Sequence, residues 1–476
     1  MSPISHVHRW TMAVMFGAST LLTGCTVCDT AIPPSRVAVP PVFDPSSPAD
    51  VPMTAEDLAH WWTVWHDPVL NGLIVDALKA NSDLRIARAH VMEARAMVTI
   101  AQSALYPSVE GSGGVWTGKA DLRSKTLDAL MPNRSNGVDA HMEGVAASWE
   151  PDIFGGRSDD AAAAQFLASS VEQQLTGARM IVVAEVAGTY LEATGLQRRL
   201  IVLDGSITAL EQLLRYAAGR TEAGQALPFD VAQVRERLAS LRATRPTLVA
   251  LIDTARRRLV VLAGRTPETA APLSPPPAFV LPAAPNGQLP STVLEHRPDV
   301  LAYAALMRAQ VARLSSAKTD LLPRFNITFL GQDGHLQFAG IPGLGGTGGL
   351  IGLSVNLPIF TAGRIRANIA ANDARLEAAA ADYDKSILLA LEDVENAYGL
   401  RHGLDARGLD QAAALSLARR NQNDATGLYE NGNKTLQDVL NARLDAFARE
   451  DDLIQTQMGQ AAASVQLYRA LGGGWL

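Results

Sequence analysis

Cysteine is nearly absent: there are two in 476 residues, Cys25 and Cys28, both close to the N-terminus. Neither can staple the body of the chain, so a disulfide framework and a cysteine-based zinc site are excluded. Aromatic residues are scarce at 5%, so helices must pack mainly through alanine and leucine. Charged residues make up only 19%, and the net charge of −7 lacks the basic excess of a nucleic-acid binder. Beyond residue 30 no apolar run approaches the length of about 18 that marks a membrane-spanning helix, which excludes an ordinary helical membrane protein. Catalytic motifs are missing as well: there is no GxxxxGK[ST], HExxH or GxSxG. The nine histidines and eleven methionines are scattered without ligand spacing, so no metal site is expected. His296 and His335 read as helix-start and loop residues. The run Gly343-Leu344-Gly345-Gly346-Thr347-Gly348 has GxGxxG spacing but leads into a strand pattern, so it fails as a dinucleotide loop. No catalytic residue, cofactor or enzymatic activity is expected.

What is present begins with an export signal. Residues 1–24 have a short basic start at His6, His8 and Arg9, then an apolar stretch from Trp10 to Leu22, too short to span a bilayer. The stretch closes on Leu22-Thr23-Gly24-Cys25, which resembles the bacterial lipoprotein box. Cleavage would leave Cys25 first, its thiol carrying a diacylglycerol and its amine an acyl chain. The buried chains, at about 0.8 kcal/mol per CH₂, give a durable anchor. Loss of Arg9 makes the mature charge −7 − 1 = −8. Thr26 after the cysteine resembles an outer-membrane address, and Cys28 reads as a free thiol near the membrane. Residues 25–60 form the lipidated tether, stiffened by Pro33, Pro34, Pro40, Pro41, Pro45, Pro48 and Pro52.

The length corresponds to roughly three domains of about 150 residues, yet the chain divides in two and the halves repeat. Asp83, Ala89, Ala96, Leu105 and Pro107 match Asp299, Ala305, Ala312, Leu321 and Pro323 at one offset, 299 − 83 = 216. Further on an offset of 208 pairs Tyr190 with Tyr398, Gly224 with Gly432, Asp230 with Asp438 and Gly264 with Gly472. The repeats are taken as 61–264 and 293–476, separated by a proline-rich linker, 265–292. Each has the same order. A helix comes first (68–105 and 298–321), stopped ahead of Pro107 and Pro323. Two strands follow, 108–118 with 138–150 and 324–331 with 350–358. Leu353, Val355 and Leu357 alternate there with Gly352, Ser354 and Asn356. A glycine-rich loop is expected between the second pair. Then comes a very long helix, 157–220 and 364–429. In the second, Ile369, Leu376, Tyr383, Ala390 and Ala397 recur every seven residues, with Ile387 and Val394 between, a coiled-coil seam. At 1.5 Å per residue each long helix runs roughly 100 Å. Gly224 and Gly432 suit left-handed caps at their ends, and Pro228 suits the first position of a returning helix. The returning helices are expected over 228–263 and 436–471.

Taken together, these residues resemble the TolC-like outer-membrane efflux factors, in the lipoprotein (NodT-type) branch that serves resistance–nodulation–division (RND) pumps. The resemblance rests on Trp61-Trp62, Asp67-Pro68, Asn81 to Leu84, Arg297-Pro298-Asp299, the repeated corners Ile153-Phe154-Gly155-Gly156-Arg157 and Ile359-Phe360-Thr361-Ala362-Gly363-Arg364, and both helical turns. It implies a mainly α fold with a β part: a homotrimeric, 12-stranded outer-membrane β-barrel continuing into a long periplasmic α-helical barrel. Four strands alone could not close, and an open edge is not tolerated in lipid. The resemblance also implies a bacterial outer-membrane location. It further implies a passive conduit for drugs and other small molecules, opened by a periplasmic adaptor (membrane fusion protein) and driven by an inner-membrane RND pump. Alternatives are the outer-membrane factor of a type I protein-secretion system or a periplasmic adaptor lipoprotein; two tandem hairpins argue against the adaptor. By the same resemblance the periplasmic gate lies at the turns. Tyr429 and Lys434 would tie the inner hairpin to Asp230 of a neighbouring hairpin, and Asp438 would project into the constriction. Lys434 stands where arginine is common, and Asn441 where a second aspartate is common.

Overall fold

The computed structural model describes residues 30–43, 55–119, 137–225, 227–268, 271–273, 281–285, 289–338 and 343–474. The export signal, Cys25 and Cys28 lie outside the described residues. A short helix α1 (Ala55–Ala59) and a 3₁₀ turn (Trp61–Trp65) lead into α2 (Pro68–Ala80) and α3 (Ser82–Ser103). Strands β1 (Ser108–Lys119) and β2 (Gly137–Trp149) follow, then α4 (Gly156–Glu222) and α5 (Pro228–Leu262). After α6 (Pro290–His296) the order returns as α7 (Pro298–Thr319), β3 (Arg324–Phe338), β4 (Leu344–Asn356), α8 (Arg364–Glu430) and α9 (Leu436–Ala470). The duplication is a property of the fold. Adding 216 to both ends of α3 gives both ends of α7. Adding 208 to the ends of α4 and α5 gives those of α8 and α9.

Two expectations are corrected. The helix expected over 68–105 is broken at Asn81, whose ψ of 134° is extended. Its buried side chain accepts from the N–H of Asp83 (2.8 Å) and Leu84 (3.2 Å), capping α3, and donates to the Leu262 carbonyl (3.0 Å). A short amide that bonds its own backbone competes with helix continuation. The second pair of strands is also longer than expected. β3 runs on to Phe338 and β4 starts at Leu344, so His335 is a strand residue and the GxGxxG run lies almost wholly within a strand. Gly345, Gly346, Gly348 and Gly349 have weak strand propensity, but each pairs in register with β3 and the ladder overrides it. In α8 the seven-residue seam marks the packed face: Leu376, Ile387, Ala390, Val394 and Ala397 are buried, while Ile369 and Tyr383 are half-buried.

The described residues form two compact units, each drawing on both repeats: those within 1–35, 92–170 and 304–382 in one, those within 36–91, 171–303 and 383–476 in the other. The first contains one sheet, ordered β1-β2-β3-β4 and antiparallel throughout. The second is helical and holds the main apolar core, with Trp61, Leu70, Ile74, Leu84, Tyr190, Leu467 and Tyr468 fully buried. Asp67 caps α2 by accepting from Val69 N–H (2.8 Å) and Leu70 N–H (3.2 Å), with Pro68 at the first helical position. Trp61 stacks on Tyr468, ring centroids 5.1 Å apart. Within this unit described residues of the proline-rich segments lie against the body. Arg36 N–H meets Asp384 (3.3 Å), Phe43 is buried, and the Tyr398 hydroxyl donates to the Pro285 carbonyl (2.7 Å).

In the same unit Arg297 is almost fully buried. Its Nε donates to Asp299 (3.0 Å), and its Nη2 to Asp299 (2.6 Å) and Asp393 (3.0 Å). Its Nη1 donates to the carbonyls of Ala390 (3.3 Å) and Ala470 (3.0 Å). Burial opposes charge on both partners. The facing guanidinium still draws the Asp299 carboxyl below its ordinary range, and the carboxylates hold Arg297 above its own.

Candidate functional site

Two features are the candidate functional sites: the two faces of the sheet and the two helical turns. Directly paired residues of an antiparallel ladder share a face. One face carries Val109, Val145, Trp149, Phe325, Ile327, Phe329, Ile351, Leu353 and Val355 over its helix-proximal half. The opposite face there carries Ser108, Glu110, Ser112, Ser148, Asn326, Thr328, Ser354 and Asn356, interrupted by the pair Leu330–Leu350. The apolar face is largely solvent-exposed in the single chain: Ile351 is 76% and Leu353 71% exposed. An apolar band backed by a polar face is the pattern of a membrane β-barrel wall, lipid outside and water inside. The strands have 12, 13, 15 and 13 residues, and about 9–11 tilted residues cross a bilayer. Among the described residues no helix is long and apolar enough to do so.

The turns sit where α4 meets α5 and α8 meets α9. At the first, Gly224 has φ +69°, Gln225 N–H reaches the Arg220 carbonyl (2.8 Å) and Gly224 N–H the Thr221 carbonyl (3.0 Å). The second repeats this, with Gly432 at φ +77°, Asn433 N–H on Leu428 (2.8 Å) and Gly432 N–H on Tyr429 (2.9 Å). Only glycine takes this left-handed C-cap conformation cheaply. Pro228 opens α5. Asp230 accepts from Leu227 N–H (3.3 Å) and its own N–H donates to the Leu227 carbonyl (3.0 Å), since the leucine side chain offers no acceptor. At the second turn Thr435 completes a capping box. Asp438 accepts from Thr435 N–H (2.9 Å) and from its hydroxyl (2.7 Å), and the Thr435 oxygen accepts from Asp438 N–H (3.3 Å). These bonds and the Lys434 ammonium, 3.8 Å away, hold the Asp438 carboxyl below its ordinary range. Asn441 is exposed on the next turn.

The structure thus places Asp230 and Asp438 on their own helix N-termini, and Lys434 beside Asp438. Tyr429 does not meet Asp230 within the chain. Its hydroxyl accepts from Arg220 Nη1 (2.6 Å) and donates to the Tyr216 hydroxyl (2.9 Å). The two rings meet edge-on at 6.0 Å, and the Arg220 guanidinium lies 6.0 Å from both ring centroids. Donation from Tyr429 lowers the Tyr216 pKa, while burial and that same donation raise the pKa of Tyr429. Sequence reasoning missed Tyr216 and Arg220. The available signal was their four-residue spacing, which puts both on one face of α4 near its end. The duplication hides them, because the equivalent positions are Asp424 and Leu428.

This architecture, a membrane sheet of four strands combined with paired helical hairpins, defines an outer-membrane efflux channel. The chain belongs to the family described as "Outer membrane efflux protein", which it matches over residues 73–265 and 289–473. It is 30% identical to the pyoverdine export outer membrane protein OpmQ of Pseudomonas aeruginosa, over 88% of each chain. It is also 30% identical to the outer membrane protein OprJ of the same organism, over 97% of this chain and 96% of that one. Among solved structures, the outer-membrane channel OprN superposes with a TM-score of 0.80 at 26% identity, covering 94% of this chain and 99% of its own. The fold is that of the TolC-like factors, in which each of three chains contributes four strands to a 12-stranded barrel continued by an α-helical barrel. The chain is the outer-membrane component of an efflux system.

Proposed function

We propose that this protein is the exit duct of a tripartite small-molecule efflux system. It is lipid-anchored through Cys25, opened by a periplasmic adaptor docking on the helical turns, and driven by an inner-membrane RND pump. The observation that carries the reading is the four-stranded sheet whose helix-proximal half has one apolar and one polar face. β1 and β4 are its edges, and lipid does not tolerate open edges, so the wall closes only with further copies of itself. The relative named for pyoverdine export supports a small-molecule cargo. Resting closure is assigned to the turns, through Arg220, Tyr216 and Tyr429 between hairpins and through Lys434 and Asp438 within one, with Asp230 and Asn441 alongside. The Lys434–Asp438 pair is exposed, and exposed charge pairs are individually weak. An adaptor that binds the open arrangement better therefore shifts the population toward it.

The test is functional replacement. In a strain lacking its own outer-membrane efflux component, the chain is expressed together with an RND pump and its periplasmic adaptor. Accumulation of a fluorescent pump substrate should fall to the level of an intact strain. Unchanged accumulation, with the protein correctly inserted in the outer membrane, would overturn the proposal.

A further inference from the structure

Two histidines far apart in sequence, His141 and His335 (335 − 141 = 194), are direct partners on β2 and β3. Their rings are stacked, centroids 5.5 Å apart and planes inclined by 23°. They lie on the apolar face of the sheet, beyond the apolar band and toward the strand ends remote from the helices. The β2–β3 seam joins the two repeats, so no hairpin loop holds it. It is therefore where a cross-link would add the most constraint.

The surroundings suit a cation. On the same face Glu143 and Asp333 are direct partners one rung toward the helices, and Asp139 lies one rung beyond the histidines. Across β1 the partner of His141 is Val115, and Lys119 is the basic group of that face. On β4 the partner of His335 is Gly345, where an added Cβ would stand 3.0 Å from Nδ1 of His335. A Cβ at Gly343 would collide with Cε1 of the same ring. The glycines of the GxGxxG run thus leave the imidazole its space. Thr347, on the same strand, donates to Asp333 (2.6 Å) and keeps that carboxylate in place.

We propose that His141 and His335 form a two-histidine site for a borderline divalent transition metal such as zinc or copper, clipping β2 to β3 at the seam between the repeats. Imidazole nitrogen is the donor these ions favour over carboxylate or water. Two Zn–N bonds of about 2.0–2.1 Å span nitrogen separations up to about 4.2 Å, which side-chain rotation reaches from rings 5.5 Å apart. Among the described residues no three His, Cys, Asp or Glu side chains are gathered to hold an ion. The clip therefore has two protein ligands, with water at its remaining positions. Asp139, Glu143 and Asp333 supply the negative field that offsets the charge of the ion.

The experiment uses detergent-solubilised full-length protein purified without a histidine tag, titrated with zinc chloride at pH 7.5. Wild type should bind one zinc per chain saturably, with a rise in melting temperature that EDTA reverses. His141→Ala and His335→Ala should each weaken binding at least tenfold and abolish the rise, while melting like wild type in EDTA. A second probe guards against a variant that fails to insert. Copper(II) bound to wild type should show two coupled nitrogens by EPR, and copper bound to His335→Gln a single one. Absence of saturable zinc binding by the wild type would overturn the proposal, as would wild-type affinity in both alanine variants.

Discussion

Replacing Arg297 by alanine tests the account of the core most directly. The side chain is 6% exposed and makes five hydrogen bonds, three to carboxylates and two to main-chain carbonyls. Removing one member of a buried charge cluster costs about 3–5 kcal/mol, largely because its partners are stranded. Here the partners are themselves half exposed, Asp299 at 46% and Asp393 at 54%. Water can re-solvate them, which places the loss at the lower end, about 3 kcal/mol. At about 2–4 °C per kcal/mol for a large domain, the melting temperature should fall by about 6–12 °C. Tryptophan fluorescence is the assay, since Trp61 stacks on Tyr468 in the same core. Arg297→Lys keeps the charge but loses the planar fork and should fall between the two. The pH dependence has a definite sign. The folded pKa of Asp299 is depressed, so its contribution is complete above the unfolded carboxylate value of about 3.9 and is lost as pH falls through the folded value. The gap between wild type and Arg297→Ala should hold from pH 7 to 5 and narrow below about 4. A drop under 2 °C for Arg297→Ala at pH 7 would refute the reasoning.

The other expectations are briefer. Tyr429→Phe removes the acceptor for Arg220 and the donor to Tyr216, so it should raise single-channel conductance in planar bilayers, as should Arg220→Ala. Unchanged conductance in both, with a substitution elsewhere opening the pore, would move the gate away from the turns. Lys434→Glu sets two carboxylates side by side with Asp438 and should raise conductance more at low salt, where exposed charges are less screened, whereas Asp438→Ala should reduce cation preference. Cys25→Ser should abolish metabolic fatty-acid labelling that marks the wild type, and equal labelling of the two would sink the lipoprotein reading. Asn81→Ala removes the cap of α3 and strands the Leu262 carbonyl, a loss of about 1–3 kcal/mol to be read as a lower denaturation midpoint.

The sequence by itself determined the repeat, the long helices and the sheet. A constant offset, proline-free seven-residue periodicity and two-residue alternation are local signals, and each survives in a linear string. The turns were legible for the same reason, since Gly224, Gly432 and Pro228 act through their own backbone. Asn81 was misread because its effect on helix continuity comes through side-chain bonds to neighbouring N–H groups, whereas composition there favours helix. The glycines near 345 were misread because ladder pairing with β3 outweighed their propensity. Tertiary structure alone decided which groups far apart in sequence meet. It joined Arg220 and Tyr216 to Tyr429, seated Arg297 against Asp393 and the carbonyls of Ala390 and Ala470, and brought His141 against His335. Such meetings depend on how helices pack and how strands register in three dimensions, and one sequence read alone carries no record of either.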